Sequence, residues 1–132
     1  MIKEIGEWKK LEIRRREKKP RVYISKGKAK YVRFNPTLMD KYKLDSKKSV
    51  NIFIMEGEKY FHIAFQFKEN GEGTLTLSKN KKTGTGYISA SSLFNEIGID
   101  NKKIKQNSFP LEDADTPMGK ALVLKLDKKL ID

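Results

Sequence analysis

The apolar residues Leu38, Met39, Tyr42 and Leu44 recur 55 positions later as Leu93, Phe94, Ile97 and Ile99. The match runs on through Asp45 with Asp100 and Lys47-Lys48 with Lys102-Lys103. A shared register of this kind constrains the fold more than any single motif, because a sequence repeat is a repeated unit of supersecondary structure. Upstream, Ile24-Ser25-Lys26 corresponds to Leu77-Ser78-Lys79 at a shift of 53, so the second hairpin loop, 81–86, is expected to be two residues longer. Each copy alone is too small for a comfortable core. The two are therefore expected to share one, with pseudo-twofold symmetry.

Within each copy the local signals agree. Val22-Tyr23-Ile24 alternates and is β-branched, Ser25 to Lys28 carries turn residues, and Tyr31 to Phe34 is a second short strand. Asn35-Pro36 predicts a helix N-cap followed by Pro at the first helical position, with a short helix ending near Leu44 and Asp45. Residues 51–55 are nearly all apolar, as expected of a strand covered on both faces, and Glu56-Gly57-Glu58 turns it into a strand at 59–67. Phe61, Ile63, Phe65 and Phe67 share one face of that strand. Residues 68–73 mark the boundary between the halves. In the second copy, 121–126 replaces the long strand, and the Pro- and acid-rich stretch 110–117 is expected to be a loop. Leu38, Ile52, Ile54, Ile63, Phe65, Leu93, Ile97, Leu122 and Leu124 are the expected core, with Phe34, Phe53 and Phe61.

The chain carries +12, from 29 Lys and Arg against 17 Asp and Glu, and residues 1–30 alone hold +8 of it, twelve cations against four glutamates. Such a field favours polyanions. Arg14, Arg15, Arg16, Lys18, Lys19 and Arg21 form the densest stretch, an arm or a twisted edge strand, with Lys26, Lys28, Lys30 and Arg33 extending the surface. Arginine pairs bidentately with phosphate where lysine acts as a point charge, so three consecutive arginines favour contact over a merely solvated basic surface. Trp8, Tyr23 and Tyr31 interleave with these cations, the combination on which single-strand binders stack bases.

Catalysis has little support. His62 is the one histidine and lies on a predicted strand between two apolar residues, where a structural role outweighs general-base work. Glu112, Asp113 and Asp115 lack calcium-loop spacing. Lys82-Thr83-Gly84-Thr85-Gly86 lacks the Walker spacing and reads as a basic hairpin that reaches phosphate only through Lys79, Lys81 and Lys82. No metal or other cofactor is implied. Cysteine is absent, which excludes disulfides and thiolate chemistry. No signal peptide and no run near the roughly 20 apolar residues of a membrane span is present, so a cytoplasmic protein without membrane contact is expected.

The order of strand, Ser-Lys-Gly turn, strand, helix and hairpin from Val22 to Phe67, followed by a related segment from Tyr87 to Ile99, resembles small uncharacterised prokaryotic and phage proteins. Two characterised groups have a similar element order: AbrB-like swapped-hairpin DNA binders, and Whirly-type or transcription-cofactor sheets that bind single strands. The chain departs from the AbrB-like pattern in carrying Arg33-Phe34-Asn35-Pro36 and Ile88-Ser89-Ala90-Ser91 where that family has an apolar residue and Pro. Fold does not establish activity, so no site residues are carried over. The expected architecture is α+β and mainly antiparallel. Its strand-strand-helix-hairpin units lie at 20–68 and 74–132, after a basic arm or edge strand at 1–19. The expected function is non-enzymatic nucleic-acid binding. The alternative, from another class, is a phage or mobile-element protein that oligomerises or binds a host protein, for example as an inhibitor.

Overall fold

A computed structural model describes residues 6–8, 10–11 and 19–131. The chain is α+β, with ten strands and two short helices among the described residues. Strands β1 (Val22–Ile24) and β2 (Tyr31–Phe34) form a hairpin that leads into α1 (Pro36–Lys41). The Asn35 side chain caps this helix, accepting from Leu38 N at 2.9 Å, and Pro36 occupies the first turn, where a missing N–H costs nothing. Strands β3 (Ser49–Glu56) and β4 (Tyr60–Lys68) form the long hairpin, followed by the two-residue β5 (Leu75–Thr76). The second half supplies β6 (Ser78–Asn80), β7 (Thr85–Ser89), α2 (Ser91–Ile97), β8 (Ser108–Phe109), β9 (Glu112–Thr116) and β10 (Gly119–Asp127).

These strands make two antiparallel sheets, A in the order β6-β7-β2-β1-β8 and B in the order β5-β3-β4-β10-β9. Both sheets join the two halves of the chain, through β2 with β7 and β1 with β8 in sheet A and through β4 with β10 in sheet B. The β2·β7 ladder runs from Tyr31↔Ser89 to Phe34↔Gly86. Its centre lies between Val32 and Arg33 on one strand and between Tyr87 and Ile88 on the other, positions 55 apart. A left-handed residue also follows each helix at this displacement, Lys43 (φ 53°) one residue past the C-cap Tyr42 of α1 and Gly98 (φ 76°) as the C-cap of α2.

One buried cluster joins the two sheets and both helices. Val22, Ile24, Val32, Phe34 and Ile88 face inward from sheet A, and Ile63, Phe65, Leu122, Leu124 and Leu126 from sheet B. The Phe34 ring bridges them edge-on, 5.5 Å from Phe65 and 5.3 Å from Phe67. Helix α1 lies against β7, where Met39 comes so close that a Cβ at Gly86 would stand 2.8 Å from its sulfur. That contact ties a helix of the first half to a strand of the second.

Several expectations need correction. Residues 51–55 are not covered on both faces: Ile54 is 37% exposed and Met55 61% exposed. The reason is an open edge. The two-residue β5 pairs only with Ser49 and Val50, so β3 has no neighbour on that side further along. Ile54 shares the inward row with Ile63 and Leu124, which are buried, but lies on this uncovered edge. Phe53, expected in the core, points outward in the row Phe53, Ala64, Val123, while Ile52 and Phe61 pack at the margin of the core. The acidic stretch is not a loop: residues Glu112–Thr116 pair with β10 as an edge strand whose charges discourage edge-to-edge association. The second hairpin loop is shorter than expected, because Thr85 and Gly86 already belong to β7.

Candidate functional site

The outer face of sheet A follows from its register. Pairing places Ser78, Tyr87, Arg33, Tyr23 and Ser108 side by side across five strands. Side chains alternate along a strand, so Tyr31 and Ser89 lie two residues along on the same face, while Val32, Phe34 and Ile88 turn into the core. The middle of the face is a tyrosine, an arginine and a tyrosine. The Arg33 guanidinium lies 4.6 Å from the Tyr23 ring centre, a cation–π contact, and the Tyr31 ring meets Tyr87 edge-on at 6.1 Å.

One end of this face is bounded by three chain segments. β1 starts there, β2 ends there and β7 starts there, so the approach 19–21, the helix entry 35–37 and the hairpin loop before Thr85 converge. Between them is a cleft of ≈ 620 Å³. Tyr23 and Arg33 form part of its floor, Lys19 and Arg21 one side, Asn35 and Thr37 the end, and Thr83 and Thr85 the other side. Among the described residues its lining holds three cations and no carboxylate. Among the described residues Arg33 Nε, though buried, has no hydrogen-bond partner, and the two ion pairs, Lys47 with Glu69 and Lys128 with Glu56, lie elsewhere. An unpaired buried donor is costly, so this one marks a place where an acceptor is wanted.

Two devices hold the cleft in shape. Asn35 caps α1 and also clamps the incoming chain, accepting from Arg21 N at 3.0 Å and donating to Lys19 O at 2.8 Å. Arg21 is braced by Ser108, with Nε donating to Oγ and Nη2 to the backbone carbonyl, both at 2.9 Å. On the opposite side is a chain of hydroxyls. Thr85 Oγ1 donates to the Tyr87 phenol oxygen at 2.8 Å, and Thr83 Oγ1 lies 2.7 Å from Thr85 Oγ1. Since the single Thr85 proton is committed to Tyr87, Thr83 is the donor in the second bond. The Thr85 bond lowers the Tyr87 pKa below its ordinary value. Desolvation opposes the shift, and Asn80, Thr83 and the Arg33 charge support it.

Of the residues expected from the sequence, the cleft brings together Lys19, Arg21, Tyr23 and Arg33, with Tyr31 beside them on the open face. Lys26, Lys28 and Lys30 lie exposed at the far end of the β1–β2 hairpin, where Lys28 and Lys30 border a separate depression with Asn101 and Lys102. Asn101 is buried there and donates to the carbonyls of Ser25, Gly27 and Ala29, fixing the turn. Trp8 is 85% exposed and not part of the cleft, and Arg14, Arg15, Arg16 and Lys18 lie outside the described residues. Lys79, expected to reach phosphate, donates instead to the Asp45 carbonyl. Sequence reasoning missed Tyr87, Thr83 and Thr85 as site residues. Their signal was the alternation Thr85, Tyr87, Ser89 about the inward Gly86 and Ile88, which names an outer face only once β7 is recognised as a strand.

Among the described residues no helix is long and apolar enough to cross a membrane, and no group of three or more metal-ligating side chains is present. No family model, no curated protein and no solved structure matches the chain.

Proposed function

We propose that this protein binds single-stranded nucleic acid and catalyses no reaction on it. Bases lie on the tyrosine-bearing outer face of sheet A, and phosphates are held by the basic side chains around the cleft. The observation that carries this reading is the row Tyr87, Arg33, Tyr23 beside a cleft that Lys19, Arg21 and Arg33 make basic. Aromatic rings and guanidinium planes stack on any base at about 1–3 kcal/mol per base, and Lys and Arg supply the salt-dependent remainder by displacing counterions. The Asn35 clamp fixes the chain at Lys19, which lines the cleft.

A titration of labelled single- and double-stranded oligonucleotides over a range of salt tests this. The single strand is expected to bind tighter, with log affinity falling linearly in log salt. Changing Arg14, Arg15 and Arg16 together to Ala is expected to flatten that slope by about 0.7 for each phosphate that is no longer neutralised. Failure to bind either probe at low salt overturns the reading.

A second reading rests on the outer face of sheet B. Phe53, Met55, Ala64, Val123 and Met118 line an apolar depression there, with Met55 61% and Met118 42% exposed. Contiguous exposed apolar surface marks interaction sites. It favours self-association or a protein partner, to be recognised by sedimentation of the wild-type chain against Met55→Lys.

A further inference from the structure

We propose that the cleft at the end of sheet A is a pocket for a terminal phosphate monoester, so that the protein seats the phosphorylated end of a strand rather than an internal stretch. This rests on the single-strand reading above and adds to it the chemical group recognised.

The cleft lies where a bound strand has to stop. Three segments, 19–21, 35–37 and 83–85, converge at one end of the outer face, whereas the face continues past Arg33 toward Tyr31 and Ser89 at the other. A strand laid lengthwise along β2, from Tyr31 over Arg33, runs into this boundary and ends there. The lining then has the composition a monoester needs. An internal phosphodiester carries one negative charge and two free oxygens. A terminal monoester carries about −1.5 to −2 at neutral pH, with a second pKa near 6, and three oxygens. Lys19, Arg21 and Arg33 supply charge from the side and floor. On the other side Thr83, at the outer end of the hydroxyl chain, donates to a phosphate by turning its proton away from Thr85. With two of its N–H groups committed to Ser108, Arg21 is held in place and adds charge, while the Arg33 guanidinium is the group left with an unpaired donor. Planar guanidinium donors, grouped with no carboxylate among the described lining residues, suit a phosphate with more than one free oxygen.

The same chemistry is offered by a 5′-phosphate and a 3′-phosphate, and the experiment separates them. Three oligothymidylates of one length, carrying a 5′-phosphate, a 3′-phosphate or hydroxyls at both ends, are titrated by fluorescence anisotropy at low salt. One phosphorylated form is expected to bind about tenfold tighter than the unphosphorylated strand, the worth of one charge-assisted hydrogen bond. The advantage should shrink as pH falls through about 6, where the monoester loses its second charge. It should also shrink in Arg33→Gln and, with less risk to folding, in Thr83→Val on the exposed loop. Lys125→Ala, on the other sheet, should leave it unchanged. Equal affinity for all three strands overturns the terminal pocket and leaves the single-strand reading intact, whereas no binding of any strand overturns that reading itself.

Discussion

Arg33 is the side chain around which the site is organised. It lies in the middle of an outer sheet face, stacks on Tyr23, opposes Tyr87 and keeps a buried Nε unpaired among the described residues. The sequence allowed Arg33 to be picked out as part of a basic surface, but its neighbours were hidden. Tyr87 is 54 residues away, and only the β2·β7 register brings the two together. Charge is legible residue by residue, whereas which charges share a face depends on pairings between halves of the chain. The hydroxyl chain gives this scale its prediction. The Thr85 hydrogen bond stabilises the Tyr87 phenolate, so Thr85→Val should raise the Tyr87 titration midpoint toward its ordinary value, read from tyrosinate absorbance on alkaline titration. The sign for stability follows. A pKa lowered in the folded state adds stability above the unfolded value, lost as pH falls through the folded one, so Tyr87 contributes in alkaline solution and nothing at neutral pH.

At the scale of elements, α1 was legible because cap and apolar register agreed, and α2, which has no side-chain cap, from its apolar register alone. Asn35-Pro36 opens α1 as expected, and Leu38, Met39, Leu93 and Phe94 are buried. Strand ends were less legible. Apolar residues at 53–55 cannot announce that β3 loses its neighbour β5 before reaching them, and acidic residues at 112–116 read as a loop because charge on an edge strand and charge in a loop look alike. The helix ends make a paired prediction. Lys43 and Gly98 both adopt left-handed backbone conformations, favourable for glycine and costing other residues about 1 kcal/mol. Lys43→Gly should therefore raise stability by up to about 1 kcal/mol, and Gly98→Ala should lower it by a similar amount, both read from urea midpoints. Opposite signs at positions 55 apart are what equivalent helix ends require.

For the whole molecule, the two sheets divide the surface into unlike faces. Sheet A turns tyrosines, threonines and cations outward, and sheet B an apolar patch beside an acidic edge strand. We propose internal duplication as the origin of such a chain, on the 55-residue displacement shared by the apolar register, the centre of the β2·β7 ladder and the left-handed residues that follow the helices. A repeat in the sequence does not tell how its halves join, because it says nothing of whether β2 pairs within its own copy or across to β7. The difference between the faces also decides the most direct test. Amide chemical shifts of the labelled protein, followed on addition of a short single-stranded oligonucleotide, should move at Tyr23, Tyr31, Arg33 and from Thr83 to Tyr87, with sheet B unmoved. Shifts confined to the outer face of sheet B around Met55 and Met118, or spread over surface lysines without focus on sheet A, would contradict the account.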